Sequence, residues 1–126
     1  MPWAAISVAE DKNWPRLRIM NRTGLLQLSF KDCKNCDDLN HAFLFGGLFT
    51  RQHAEQILSF VDRHWSSVDS FLIQCESGER VAPAIAAAIM RIRYGPEADN
   101  WYFDNLHPNI TVYGMLLREN NDRLFR

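Results

Sequence analysis

Ser70-Phe71-Leu72-Ile73-Gln74-Cys75-Glu76-Ser77-Gly78-Glu79-Arg80-Val81-Ala82-Pro83-Ala84-Ile85 is the stretch that decides the fold. Ser70 to Gln74 is a short apolar run of the kind that forms a buried parallel strand. A polar, glycine-containing turn follows it. An alanine- and isoleucine-rich helix is then predicted from about Ala82 to Arg93, ended by Gly95-Pro96. Ile85, Ile89 and Ile92 share its inner face, and Ala86 to Ala88 let it approach a sheet closely. A strand that passes through a tight turn into a helix leaves backbone N–H groups converging on one point at the positive end of the helix dipole. Such a point binds anions, and a cysteine on its floor has its thiolate stabilised by the same groups.

Upstream, Trp3 to Val8 is a short, mostly apolar run, and Leu26, Leu28 and Phe30 alternate with Gln27 and Ser29 at the period of a strand. Arg16 to Met20 is read as a further short strand before the Asn21 to Gly24 turn, which brings the sheet to about four strands. Lys31 to Asn40 lacks periodicity and, with the Gly46-Gly47 break, forms a long loop of the kind that carries function. Thr50 is placed to cap a helix whose Ala54, Ile57, Leu58, Val61 and Trp65 lie on one face, with Phe49 and Ala54 as a hydrophobic staple. A last helix is expected from Pro108 to about Asn120, burying Ile110, Tyr113, Leu116 and Leu117. The sum is one α/β domain over residues 1–126: a three-layer arrangement with a largely parallel central sheet, helices on both faces and the site at the carboxyl end of Ser70 to Gln74.

Composition narrows the function. The 126 residues carry 14 basic and 15 acidic side chains, a net charge of -1 that gives no footprint for nucleic acid or an anionic membrane. Phe43 to Phe49 and Val81 to Met90 are too short to span a bilayer, and the start Met1-Pro2-Trp3 has no signal-peptide pattern, so a cytoplasmic location is expected. Three cysteines in such a chain are expected to be thiols rather than a disulfide framework.

Gln74 to Ile89 resembles, without a gap, the signature loop of small microbial cysteine-based tyrosine and dual-specificity phosphatases: His-Cys, five residues, Arg, then Ser or Thr, on a strand, loop and helix. Weaker likenesses flank it at Leu28 to Asp32, at Phe49 to Ala54 and at Asn109 to Leu117. The resemblance implies Cys75 as nucleophile, Asp32 as general acid with Asp37 and Asp38 as alternatives, and a phosphate-binding loop of Glu76, Ser77, Gly78, Glu79, Arg80 and Val81. It implies no cofactor or metal, and a phosphorylated protein or a small phosphate ester as ligand.

Three chemical groups of that signature are replaced. Gln74 stands for the histidine, Val81 for the arginine and Ala82 for the hydroxyl. The arginine holds two phosphate oxygens with its planar fork, which no apolar side chain can do. Losing one preorganised donor of this kind costs ~3–4 kcal/mol of transition-state stabilisation. The expectation is therefore weak or absent hydrolysis with the ligand still bound, and the alternative is an active phosphatase that uses Arg80, one residue early. A third reading is a thiol or zinc protein centred on Cys33 and Cys36, with His41 nearby. Trp101-Tyr102-Phe103 is the aromatic run dense enough to form a contact patch.

Overall fold

The computed structural model describes residues 1–32 and 47–125. Strands β1 (Trp3–Val8), β2 (Arg22–Leu28) and β3 (Ser70–Gln74) form a parallel sheet in the order β2-β1-β3. Ile6 lies between Leu26 and Ile73, and Ala4 between Gly24 and Phe71. Helices α1 (Arg51–His64), α2 (Val81–Tyr94), α3 (Asn100–Asn105) and α4 (Ile110–Leu124) complete the described chain.

The central strand is apolar on every residue after Trp3 except Ser7, and Ala4 to Val8 are all buried, as a strand paired on both edges requires. Its Ala4, Ile6 and Val8 face forms one continuous core with Ile57 of α1, Ile85 of α2 and Leu116 of α4. Each fully buried Ile or Leu of this kind contributes about 1.5–3 kcal/mol. All three long helices thus pack on one face of the sheet. The expected helical layer on the other face is not among the described residues, although Ala5 and Ser7 on that side are also buried.

Among the described residues the sheet has three strands, not the expected four. Arg16 to Met20 stays irregular because Ile19 and Met20 are 78% and 77% exposed and have no apolar surface to pair against. The run instead belongs to the crossover that parallel neighbours need. Trp3 Nε1 donates to the Met20 carbonyl at 2.9 Å and Trp14 Nε1 to the Leu28 carbonyl at 3.0 Å, which pin that crossover to the sheet. Gly24 sits where β2 meets the end of α1: a Cβ there would lie 2.6 Å from the His64 ring.

α1 begins as anticipated. Thr50 accepts from the His53 N–H at 3.3 Å, and His53 Nδ1 accepts from the Thr50 N–H at 2.9 Å, a reciprocal cap with His in the place of the usual acid or amide. Phe49 packs beneath it, 4.9 Å from the Phe30 ring. α4 starts two residues later than Pro108, with Asn109 as its cap, and Ile110 is 74% exposed rather than buried. Its buried positions are Val112, Leu116 and Glu119, a stripe whose acidic member helical periodicity of apolar residues could not reveal. Ser70 to Gln74 is parallel, as read, but lies at the edge of the sheet and is half-exposed, not buried.

Candidate functional site

The carboxyl ends of all three strands meet at one rim, where parallel sheets place their sites. β3 ends at Gln74, and the turn from Cys75 to Arg80 leads directly into α2. Gly78 has φ +72°, a left-handed conformation that glycine adopts at no steric cost. That turn directs the Gly78 N–H to Cys75 Sγ at 3.2 Å, and the first turn of α2 directs the Ala82 N–H to the same sulfur at 3.3 Å. Two amides and a helix N-terminus therefore converge on Cys75.

Beside the sulfur lies a pocket of 150 Å³ lined by Val8, Glu10, Phe30, Asp32, Cys75, Glu76, Ser77 and Val81. At about 30 Å³ per molecule of liquid water it has room for about five waters. Three of the eight lining residues are carboxylates, and they lace the rim together. The Glu10 N–H donates to Glu76 Oε1 at 3.1 Å and the Asp32 N–H to Glu10 Oε1 at 2.9 Å, joining the segments that follow β1, β2 and β3.

Arg80 is turned to Asp32. Its Nε donates to Asp32 Oδ1 and Oδ2, both at 3.0 Å, and Asn109 Nδ2 donates to Oδ1 at 2.8 Å. This clasp joins the loop after β2, the turn before α2 and the cap of α4. Arg80 also lines a separate cleft with Glu79, His107 and Asn109, away from the sulfur. Val81, at the arginine position of the signature, is 4% exposed and packs into the core as well as onto the pocket floor. Gln74, at the histidine position, accepts at Oε1 from the hydroxyl of buried Ser7 at 2.7 Å.

Neither a family model nor a curated protein matches the chain.

Of the residues singled out from the sequence, Cys75, Asp32, Glu76, Ser77 and Val81 share the pocket, and Gly78 faces the sulfur through its N–H. Arg80 reaches the rim through Asp32, while Glu79 faces the other cleft and its N–H donates to Ser77 Oγ at 3.2 Å. Cys33, Cys36, Asp37, Asp38 and His41 lie outside the described residues. Among the described residues no group of three His, Cys, Asp or Glu is arranged to hold a metal. Sequence reasoning missed Glu10 and Asn109. Glu10 could have been found from its place two residues past the end of β1, and Asn109 from its short polar side chain just ahead of an apolar helical stripe.

Proposed function

We propose that the chain is a cytoplasmic relative of the cysteine-based tyrosine and dual-specificity phosphatases, with the family's layered phosphatase-like fold and with weak or absent hydrolysis of phosphate monoesters. The observation that carries this reading is the cradle of Gly78 and Ala82 N–H groups on Cys75 Sγ, set at the carboxyl end of a parallel strand. It keeps the nucleophile of that chemistry.

The groups that would complete a turnover are otherwise engaged or replaced. Hydrolysis by this route needs the thiolate to attack phosphorus, a carboxylic acid to protonate the departing oxygen, and water to cleave the phosphocysteine. Both oxygens of Asp32 serve as acceptors, which is the reverse of donating a proton. Among the described residues, a phosphate group entering the pocket meets Glu10, Asp32 and Glu76 without a facing cation. A phosphorylated protein or small phosphate ester is held only when Arg80 leaves Asp32 for the pocket, and the active alternative depends on the same movement.

The test is steady-state hydrolysis of an aryl phosphate by the parent, Cys75→Ser and the double variant Val81→Arg/Ala82→Ser. The parent is expected to differ little from Cys75→Ser, and the double variant to gain about a hundred- to thousand-fold, the worth of one preorganised donor. A parent that is already fast, and loses its rate with Arg80→Ala, would establish the Arg80-dependent enzyme instead.

A further inference from the structure

β3 is the edge of the sheet, and among the described residues nothing pairs with its outer side. The direction of its peptide groups follows from the ladder. The Trp3 N–H donates to the Asn21 carbonyl at 2.9 Å and the Ala9 N–H to the Leu28 carbonyl at 3.1 Å, so alternate residues of β1 from Trp3 bond toward β2, and Ala4 and Ile6 bond toward β3. Ala4 stands opposite Phe71 and Ile6 opposite Ile73, so in a parallel ladder their bonds go to the flanking Ser70, Leu72 and Gln74, and the N–H and C=O groups of Phe71 and Ile73 point outward. Native sheets usually blunt such an edge with proline, lysine or a bulge. Ser-Phe-Leu-Ile-Gln has none of the three.

Next to this edge runs a groove of 810 Å³ between β3 and α2, lined by Phe71, Leu72, Ala86, Ile89, Met90 and Tyr94 among others. Ala86 leaves the space that a larger helical residue would fill. Leu72 is 42% and Tyr94 66% exposed, so the groove continues as an apolar surface on both sides. Asp69 is the single charged residue among the fifteen that line it. The edge is acidic at both ends, with Asp69 before the strand and exposed Glu76 and Glu79 after it. Arg93, near the Trp65 end, is held by Asp62 and stacked 4.4 Å over the Trp65 ring.

We propose that this edge and groove receive an extended peptide from a partner protein, one with apolar side chains at alternate positions and a basic residue at each end. Main-chain hydrogen bonds to Phe71 and Ile73 extend the sheet, alternate side chains fill the groove over Ala86 and Met90, and the end charges meet Asp69 and the Glu76/Glu79 pair. Charge selects this occupant over a second copy of the chain. An antiparallel pairing of two β3 strands centred on Leu72 sets Asp69 of each copy opposite Cys75 of the other and one residue from its Glu76, so like charges crowd both ends of a short ladder.

The probe is the peptide acetyl-Lys-Val-Thr-Val-Thr-Val-Lys-amide, titrated into the full chain and followed by the backbone amide resonances. Saturable one-to-one binding is expected, with the Phe71 and Ile73 amides gaining exchange protection while those of Leu72 and Gln74, already bonded to β1, keep theirs. Replacing both lysines by glutamate, or placing lysine in the groove with Ala86→Lys, is expected to weaken binding at least about tenfold. A peptide N-methylated at the groups facing β3 is expected not to bind, a comparison that needs no variant of the protein. Absence of saturable binding, equal binding of the N-methylated or glutamate-ended peptide, or a protein dimer in which the same two amides are protected would each overturn the proposal.

Discussion

Removing the Asp32 carboxylate is expected to loosen the site more than any other single surface change. In Asp32→Ala the Arg80 Nε loses two acceptors at 3.0 Å and Asn109 Nδ2 loses one at 2.8 Å. Hydrogen bonds to a charged group contribute about 1.5–3 kcal/mol each when well shielded. The two Nε contacts share one hydrogen and count as one bond. The Arg80 and Asp32 side chains are 22% and 26% exposed, so solvent screening places their contribution at about 1–1.5 kcal/mol. Asn109 is buried, and its bond contributes about 1–1.5 kcal/mol more. The expected loss is therefore about 2–3 kcal/mol. With an unfolding entropy of about 2.1 cal/mol/K per residue, that corresponds to a fall in Tm of about 8–11 °C for this chain. Urea denaturation at neutral pH measures it, with the slope unchanged if the unfolded state is unaffected. Asp32→Asn, which keeps an acceptor and drops the charge, is expected to lose about half as much. The Asp32→Ala/Arg80→Ala cycle is expected to show a coupling of about 1 kcal/mol. An Asp32→Ala variant within about 0.5 kcal/mol of the parent, the spread of ordinary surface substitutions, would refute the clasp as a structural element.

Two further outcomes depend on pH. Burial lowers the pKa of His53 below its usual 6.5, and its Nδ1 must stay unprotonated to accept from the Thr50 N–H. The unfolded chain therefore takes up a proton there before the folded chain does, so stability is complete above 6.5 and falls as pH drops below it. His53→Gln, which retains an acceptor for the cap, is expected to remove that part of the acid slope in parallel denaturation series, and an unchanged slope would count against the cap. Tyr113 is raised to about 12 by burial and then by its hydrogen bond to Asp99 and the charge of that carboxylate, with Arg91 opposing. Its contribution is present below pH 10 and lost as pH rises toward 12, so the stability difference between the parent and Tyr113→Phe is expected to shrink across that interval, as paired denaturation curves will measure.

Much of the architecture was legible in the sequence because it rests on local rules. β3 was read with the bounds it has, since five residues of apolar run end at a polar, glycine-bearing turn. The Thr50 cap and its apolar face followed from side-chain chemistry and helical spacing alone. The placement of Cys75 at the head of α2 followed from the order strand, turn, helix, and its contacts with the Gly78 and Ala82 amides are the geometry that such an order produces. The errors share a physical origin. Arg16 to Met20 has the composition of a strand but no neighbour to pair with, and Ile110 has an apolar side chain but occupies a helix position that faces water. Pairing and facing are decided by parts of the chain distant in sequence.

By itself, then, the order of residues determined the three long helices and the strands around Ile6, Leu26 and Ile73, that one sulfur stands where backbone amides converge, and that no arginine follows it at the signature distance. Only the tertiary structure decided that Arg80 and Asn109 both donate to Asp32, that three carboxylates rim the Cys75 pocket, and that, among the described residues, β3 is an open edge beside an apolar groove. Those are contacts between residues 48, 66 and 77 positions apart or between whole elements, and no local propensity encodes them. They arise when one face of the sheet is buried under three helices, which brings the strand ends together and, among the described residues, leaves one side of the last strand uncovered.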